Sequence, residues 1–161
     1  MSNAVTVVIA DDHTHYRHGL AEALRRDGVE VLADVPNGEA AVEAALRTVP
    51  DVVVMDLNMP GVSGIEATRR LLGTAPWMRV LILTVSAQGE DVADALRAGA
   101  TGYVLKDAPV EEILAAVRVA AAERPTGTAR TTAAATHREP ELPEPRRRPR
   151  LRWRDWWGSV A

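Results

Sequence analysis

"DVVVMDLNMPG", residues 51–61, runs apolar through Val52, Val53, Val54 and Met55 and then stops on a carboxylate, Asp56. Such an unbroken valine-rich run suits a strand covered on both faces, the habit of parallel sheets. Asn58 follows, and then Pro60 and Gly61, which turn the chain. Burying a lone carboxylate is costly, so a strand that carries one to its own end needs a reason for it.

Four other apolar runs share the chain with this one. "AVTVVIA" (4–10) and "RVLILTV" (79–85) are nearly unbroken; "VEVLADV" (29–35) alternates, as an edge strand does; "TGYVL" (101–105) is short. Helix-like stretches lie between them. "THYRHGLAEALRRDG" (14–28) places Leu20, Ala23 and Leu24 on one side and ends at Gly28. "NGEAAVEAALRTVP" (37–50) offers Asn37 as a cap and stops before Pro50. "SGIEATRRLLGTAP" (63–76) is shorter. "GEDVADALRAGA" (89–100) begins with acids, which suit a helix N-terminus, and ends at Gly99. "APVEEILAAVRVAAAER" (108–124) has proline in its first turn and apolar Ile113, Leu114, Val117 and Ala121. Strict strand–helix alternation predicts an α/β fold. The expected form is a doubly wound five-stranded parallel sheet of flavodoxin-like order 2-1-3-4-5, with helices on both faces.

Composition sets the outer limits. Of 161 residues, 47% are hydrophobic, enough for a core, and none is cysteine, which excludes disulfides and thiolate metal sites. No apolar run reaches the roughly 18 residues of a membrane span, and no leader-like segment opens the chain, so a cytoplasmic protein is expected. The net charge of −3 is uneven: residues 1–123 carry 18 acidic and 10 basic side chains, residues 124–161 carry 4 and 9. Five of the ten prolines also fall after residue 123, which predicts a domain over 1–123 and a disordered tail over 124–161.

The predicted topology gives Asp56 its reason. Ligands of open α/β sheets bind outside the carboxyl ends of the strands, where the strand order reverses. Asp11 and Asp12 end the first run, Asp56 the third; Thr84 stands near the end of the fourth, and Lys106 follows the fifth. Two unit charges about 4 Å apart interact by roughly 4 kcal/mol at an effective dielectric of about 20, so converging carboxylates call for a cation. Oxygen donors with retained waters suit Mg²⁺, whereas zinc would want nitrogen or sulfur. A carboxylate can also be the nucleophile towards phosphorus, provided that cations and a hydroxyl neutralise the phosphoryl oxygens. Asp56 is the natural nucleophile, and the Asp11–Asp12 pair better suits metal. Lys106 is the only lysine among 19 basic residues, and lysine, unlike arginine, presents a compact point charge.

"VVIADDH", "VVVMDLNMPGVSGIEATRRL" and "VLILTVSAQGEDVADALRAGATGYVLKDAPVEEILAAV" together resemble a bacterial two-component response-regulator receiver domain. The subtype is that usually linked to a LuxR/NarL-type helix-turn-helix output domain, and the resemblance covers residues 4–123. It implies that Asp56 accepts phosphate from a histidine kinase. It further implies that Asp12, Asp56 and the backbone carbonyl of Asn58 hold Mg²⁺, with Asp11 helping through water, and that Lys106 pairs with the phosphoryl group or with Asp56. Thr84 and Tyr103 match the family's switch pair, hydroxyl towards phosphate and ring inward behind it. Partners, or a second copy in a homodimer, are expected to read residues 89–118.

Two other functions compete. An aspartate-nucleophile phosphatase also starts from a strand-end aspartate, but wants a second acid two residues on, where this chain has Asn58. A phosphorylation-independent scaffold would not need the intact acidic set. A signalling domain, not a turnover enzyme, is therefore expected. His13, His15 and His18 read as solvated or partner-facing rather than metal-binding, and Trp77 as packing in a loop. Val85 is bulkier than the residue many receivers carry there, which predicts slower access of water to the phosphoryl group. The tail shows no recognition helix, so specific DNA binding is unsupported, and it reads as the remnant of a truncated or frame-shifted regulator. Its "RRRPRLRWRDWW" (146–157) alternatively suits weak contact with polyanions.

Overall fold

The computed structural model describes residues 3–86 and 89–123. Five strands and five helices alternate: β1 (Thr6–Ala10), α1 (Thr14–Arg26), β2 (Glu30–Val35), α2 (Gly38–Thr48), β3 (Val52–Asp56), α3 (Gly64–Thr74), β4 (Val80–Thr84), α4 (Glu90–Arg97), β5 (Gly102–Leu105) and α5 (Val110–Ala122). All strand pairs are parallel, in the order β2-β1-β3-β4-β5. The alternating run is indeed an edge strand, β2. Every residue of β3 and β4 is buried, as the unbroken runs predicted.

Side chains of successive strand residues point to opposite faces, and two cores result. On one face Val8, Val53, Met55 and Ile82 pack under α2, α3 and α4. On the other, Val7, Ile9, Val54 and Leu83 pack under α1 and α5. The helix ends follow local chemistry. The Asn37 side chain caps α2 by accepting the Ala40 N–H at 2.8 Å, and Ser63 caps α3 by accepting the Glu66 N–H at 3.2 Å. Gly28 and Gly99, just past α1 and α4, take left-handed φ values of 82° and 105°. Val49 does the same after α2, at φ 51°, which glycine would do with less strain.

Three local expectations shift. The buried stripe of α1 is Arg17, Leu20, Ala21 and Leu24, so Ala21 replaces Ala23, which lies a further 200° around the helix from it. Pro109 precedes α5 as its cap instead of lying within its first turn. In α5 the core takes Ala116 and Ala120 along with Ile113, Leu114 and Val117, and Ala121 is only partly buried. Among the described residues no helix is long and apolar enough to cross a membrane. The expectations for residues 124–161, including 146–157, lie outside the described residues.

Candidate functional site

Strand register sets the site. Ala10 pairs with Met55, Asp56 with Leu83 and Thr84 with Leu105, so Asp11, Asp56, Thr84 and Lys106 arrive in a row at one sheet edge. The backbone fixes them there: Asp11 N–H donates to the Val35 carbonyl, Leu57 N–H to Leu83, and Lys106 N–H to Thr84. Gly64 lets α3 begin hard against this edge. A Cβ on Gly64 would lie 2.0 Å from the Asp56 carbonyl oxygen, so only glycine fits without moving the strand end.

Two carboxylates share one ammonium. Lys106 Nζ lies 2.6 Å from Asp11 Oδ2 and 3.1 Å from Asp56 Oδ2. Asp11 is fully buried and Asp56 nearly so, while Asp12 is partly exposed. Asp56 Oδ1 accepts the Asn58 N–H at 3.3 Å. Burial, and next the charge of Asp11, raise the Asp56 carboxyl to about 6, although Lys106 and the Asn58 N–H pull it down. Asp11 Oδ2, Asp12 Oδ1 and Asp56 Oδ2 are buried oxygens that accept no well-directed hydrogen bond. Donor atoms of Asp11, Asp12, His13 and Asp56 all lie within 4.8 Å of one another. Lone pairs converging with too few protons to fill them fit a hard divalent cation, so the acidic set and Mg²⁺ are chemically matched.

The other expected residues stand nearby. Thr84 is buried at the end of β4, and its hydroxyl donates to the Ser86 carbonyl at 2.9 Å. Tyr103 is buried in the core under α2, α3 and α4, its ring already inward. Val85 is 70% exposed and lines a cleft of about 670 Å³ with His13, Thr14, His15, Tyr16 and Lys106. Trp77 is half exposed in the α3–β4 connection.

His13 stands closer to the acids than a freely solvated histidine would. Although its side chain is 67% exposed, Nδ1 lies 3.1 Å from both Asp11 Oδ1 and Asp12 Oδ1. Its backbone N–H also donates to Asp11 Oδ1 at 2.8 Å. His18 instead lies 3.5 Å from the Asp34 carboxylate on β2. Two further residues join the site from α1. The Tyr16 ring sits 5.1 Å from Lys106 Nζ, and burial, then Asp11, Asp56 and Asp107, push its hydroxyl up to about 12. Arg17 reaches the Asp11 backbone from α1. Its signal was available: an arginine three, four and seven residues before Leu20, Ala21 and Leu24 lies on the apolar stripe.

With this geometry in place, likeness to known proteins becomes informative. The family model of the response regulator receiver domain matches residues 7–118. The chain belongs to that family. The transcriptional regulatory protein DegU of Brevibacillus brevis is 41% identical over 120 residues, covering 74% of this chain and 51% of DegU. The nitrate/nitrite response regulator NarL of Escherichia coli K12 is 38% identical over 125 residues, 76% of this chain and 58% of NarL. The chain thus spans little more than half the length of these curated relatives. Among solved structures, the signal receiver domain of a NarL response regulator from Mycobacterium tuberculosis superposes with a TM-score of 0.73. It is 34% identical, and the match covers 76% of this chain and all of that one. A LuxR-family two-component response regulator from Aurantimonas sp. SI85-9A1 gives 0.70 at 33% identity, covering 84% and 99%. The described domain is a two-component receiver related to transcriptional regulators. Receivers are signalling domains that partner histidine kinases.

Proposed function

We propose that Asp56 accepts a phosphoryl group from the phosphohistidine of a histidine kinase and that the 89–118 face reports the change. The observation that carries this reading is one ammonium, Lys106, within 3.1 Å of two buried carboxylates on adjacent strands. An Asp56 carboxylate oxygen attacks phosphorus, the P–N bond breaks, and the departing imidazole takes a proton. Lys106 leaves its carboxylate partners to neutralise the phosphoryl oxygens. Asp11, Asp12, Asp56 and the Asn58 backbone carbonyl would hold Mg²⁺, which when bound shields negative charge on those oxygens.

The added negative charge gives the Thr84 hydroxyl a stronger acceptor than the Ser86 carbonyl it now serves. That difference between the two states is what a population shift requires. Thr84 and Tyr103 then act as the switch pair, with Thr84 moving towards the phosphoryl group and the Tyr103 ring, already inward, held behind it, and α4, β5 and α5 form the surface read by a partner or a second copy. Val85, exposed beside Lys106, slows water and lengthens the life of the acyl phosphate. The receiver is assigned to residues 1–123, and the remaining 38 residues to the remnant of a regulator, with weak contact of their arginines with polyanions as the alternative. The domain assists its own phosphorylation and loss of phosphate, and is not a turnover enzyme. The exposed Asn58, where a phosphatase would need an acid, supports that reading over phosphomonoester hydrolysis.

Incubation with acetyl phosphate and Mg²⁺, followed by intact-mass and peptide mapping, tests the proposal. One phosphoryl adduct is expected, on Asp56, lost with EDTA present and lost on Asp56→Asn. Equal labelling of Asp56→Asn would sink the assignment, and steady turnover of a phosphomonoester would favour the phosphatase.

A further inference from the structure

Arg17 is the one strongly buried basic side chain among the described residues that touches none of the carboxylates of the site. It lies on the inward stripe of α1, where a charge is costly unless well paired. Its Nη1 donates to the Asp11 carbonyl at 2.6 Å, and its Nε donates to Asp34 Oδ1 on β2 at 3.3 Å. Asp34 is further approached by His18 Nε2 at 3.5 Å and Arg25 at 3.8 Å, both from α1.

The bonded carbonyl belongs to the peptide unit that joins Asp11 to Asp12. On its other side, the Asp11 N–H is held by the Val35 carbonyl at 3.1 Å. Asp11 is therefore gripped at both backbone groups, and the direction in which each carboxylate leaves the chain follows from that grip. A planar guanidinium suits the task, since its donors sit on separate nitrogens of a fixed fork and so reach two acceptors that lie well apart.

We propose that Arg17 is a positioning residue for the divalent-cation site, acting through the Asp11–Asp12 peptide and not by contact with metal or phosphate. This rests on the receiver reading above. Groups that orient metal ligands from behind commonly change affinity by about 10–100-fold when removed.

The test uses the full chain and two readouts. Mg²⁺ affinity is measured by isothermal titration, and acetyl phosphate labelling is measured at saturating Mg²⁺. Arg17→Met is expected to weaken Mg²⁺ binding about tenfold or more while the saturated labelling rate stays within about threefold. Arg17→Lys should shift affinity in the same direction by less. Asp34→Asn keeps the bond to the Asp11 carbonyl, so it should lower thermal stability and change affinity by less than about threefold. Arg17→Met that melts earlier yet binds Mg²⁺ like wild type would make Arg17 a residue of stability only, and the inference fails. If Arg17→Met does not fold, Arg17→Lys decides by the same criterion. Wild type that binds no Mg²⁺ overturns the receiver reading and this inference together, whereas wild-type binding with unaffected variants overturns this inference alone.

Discussion

Asp51 leads into β3 and Asp56 ends it, yet the two carboxylates live differently. At the far edge of the sheet, Asp51 Oδ2 accepts the Thr6 N–H at 2.9 Å and the Thr6 hydroxyl at 3.0 Å, and the Asp51 N–H donates back to that hydroxyl at 2.9 Å. The clip is closed, and it ties β3 to β1. Asp56 has one long N–H bond, an ammonium shared with Asp11, and a carboxyl raised to about 6. A satisfied acid holds the fold together. An under-satisfied one stores unfavourable free energy that a cation or a phosphoryl group can release.

Four measurements bear on this contrast. Gly64→Ala should have the largest effect, because the new methyl meets the Asp56 backbone. A loss of about 3 kcal/mol in urea unfolding, together with impaired labelling, is expected. Mild destabilisation with normal labelling would show that the site edge tolerates a shift.

Asp56→Asn should do the opposite and stabilise the metal-free protein. Since the folded carboxyl titrates near 6 against an ordinary 3.8, the native state keeps a proton that the unfolded chain has lost between those values. Wild-type stability therefore falls as pH rises through about 4 to 6, and the deficit is complete above it, on the order of 1–3 kcal/mol. In EDTA the variant should melt higher at pH 7.5 and lose that advantage below about pH 4. An equal advantage at both pH values would mean that titration of Asp56 is not its cause.

Asp51→Ala should cost about 1–2 kcal/mol by stranding the Thr6 N–H, and leave labelling of Asp56 within about twofold. A large drop in labelling would join the two edges that the comparison separates. The smallest effect belongs to Val49→Gly, which relieves a left-handed β-branched residue at the same quiet edge. A gain of about 0.5–1 kcal/mol in thermal unfolding is expected, without change in labelling. Loss of stability would mean that the strain is smaller than the entropy glycine adds to the unfolded chain.

Legibility in sequence followed the range of the physics. Apolar runs marked β3 and β4 because burial on both faces demands unbroken hydrophobic residues. Asn37 could be read as a cap because its partner, the Ala40 N–H, is three residues away. Asp11, Asp12, Asp56 and Lys106 were legible because parallel strands must put their carboxyl ends on one edge. His13 is solvent-exposed, as its place in the sequence suggested, but the turn of its ring back onto two carboxylates is set by the fold. The burial of Arg17 was legible from its place on the apolar stripe, but its partner Asp34, like the Tyr16 partner Lys106, is brought near only by packing of α1 on the sheet.

The order of strands and helices, and the edge on which the acids gather, were determined by the amino-acid sequence alone, through hydrophobic period and the handedness of crossovers. Only the tertiary structure decided which carboxylate oxygens are buried without a well-directed hydrogen bond, where Lys106 divides its charge, and that an arginine grips the peptide between two aspartates. Those outcomes depend on placement to within a few tenths of an ångström of residues up to 95 positions apart, such as Asp11 and Lys106. No local pattern encodes such distances, because dense packing of the whole domain sets them.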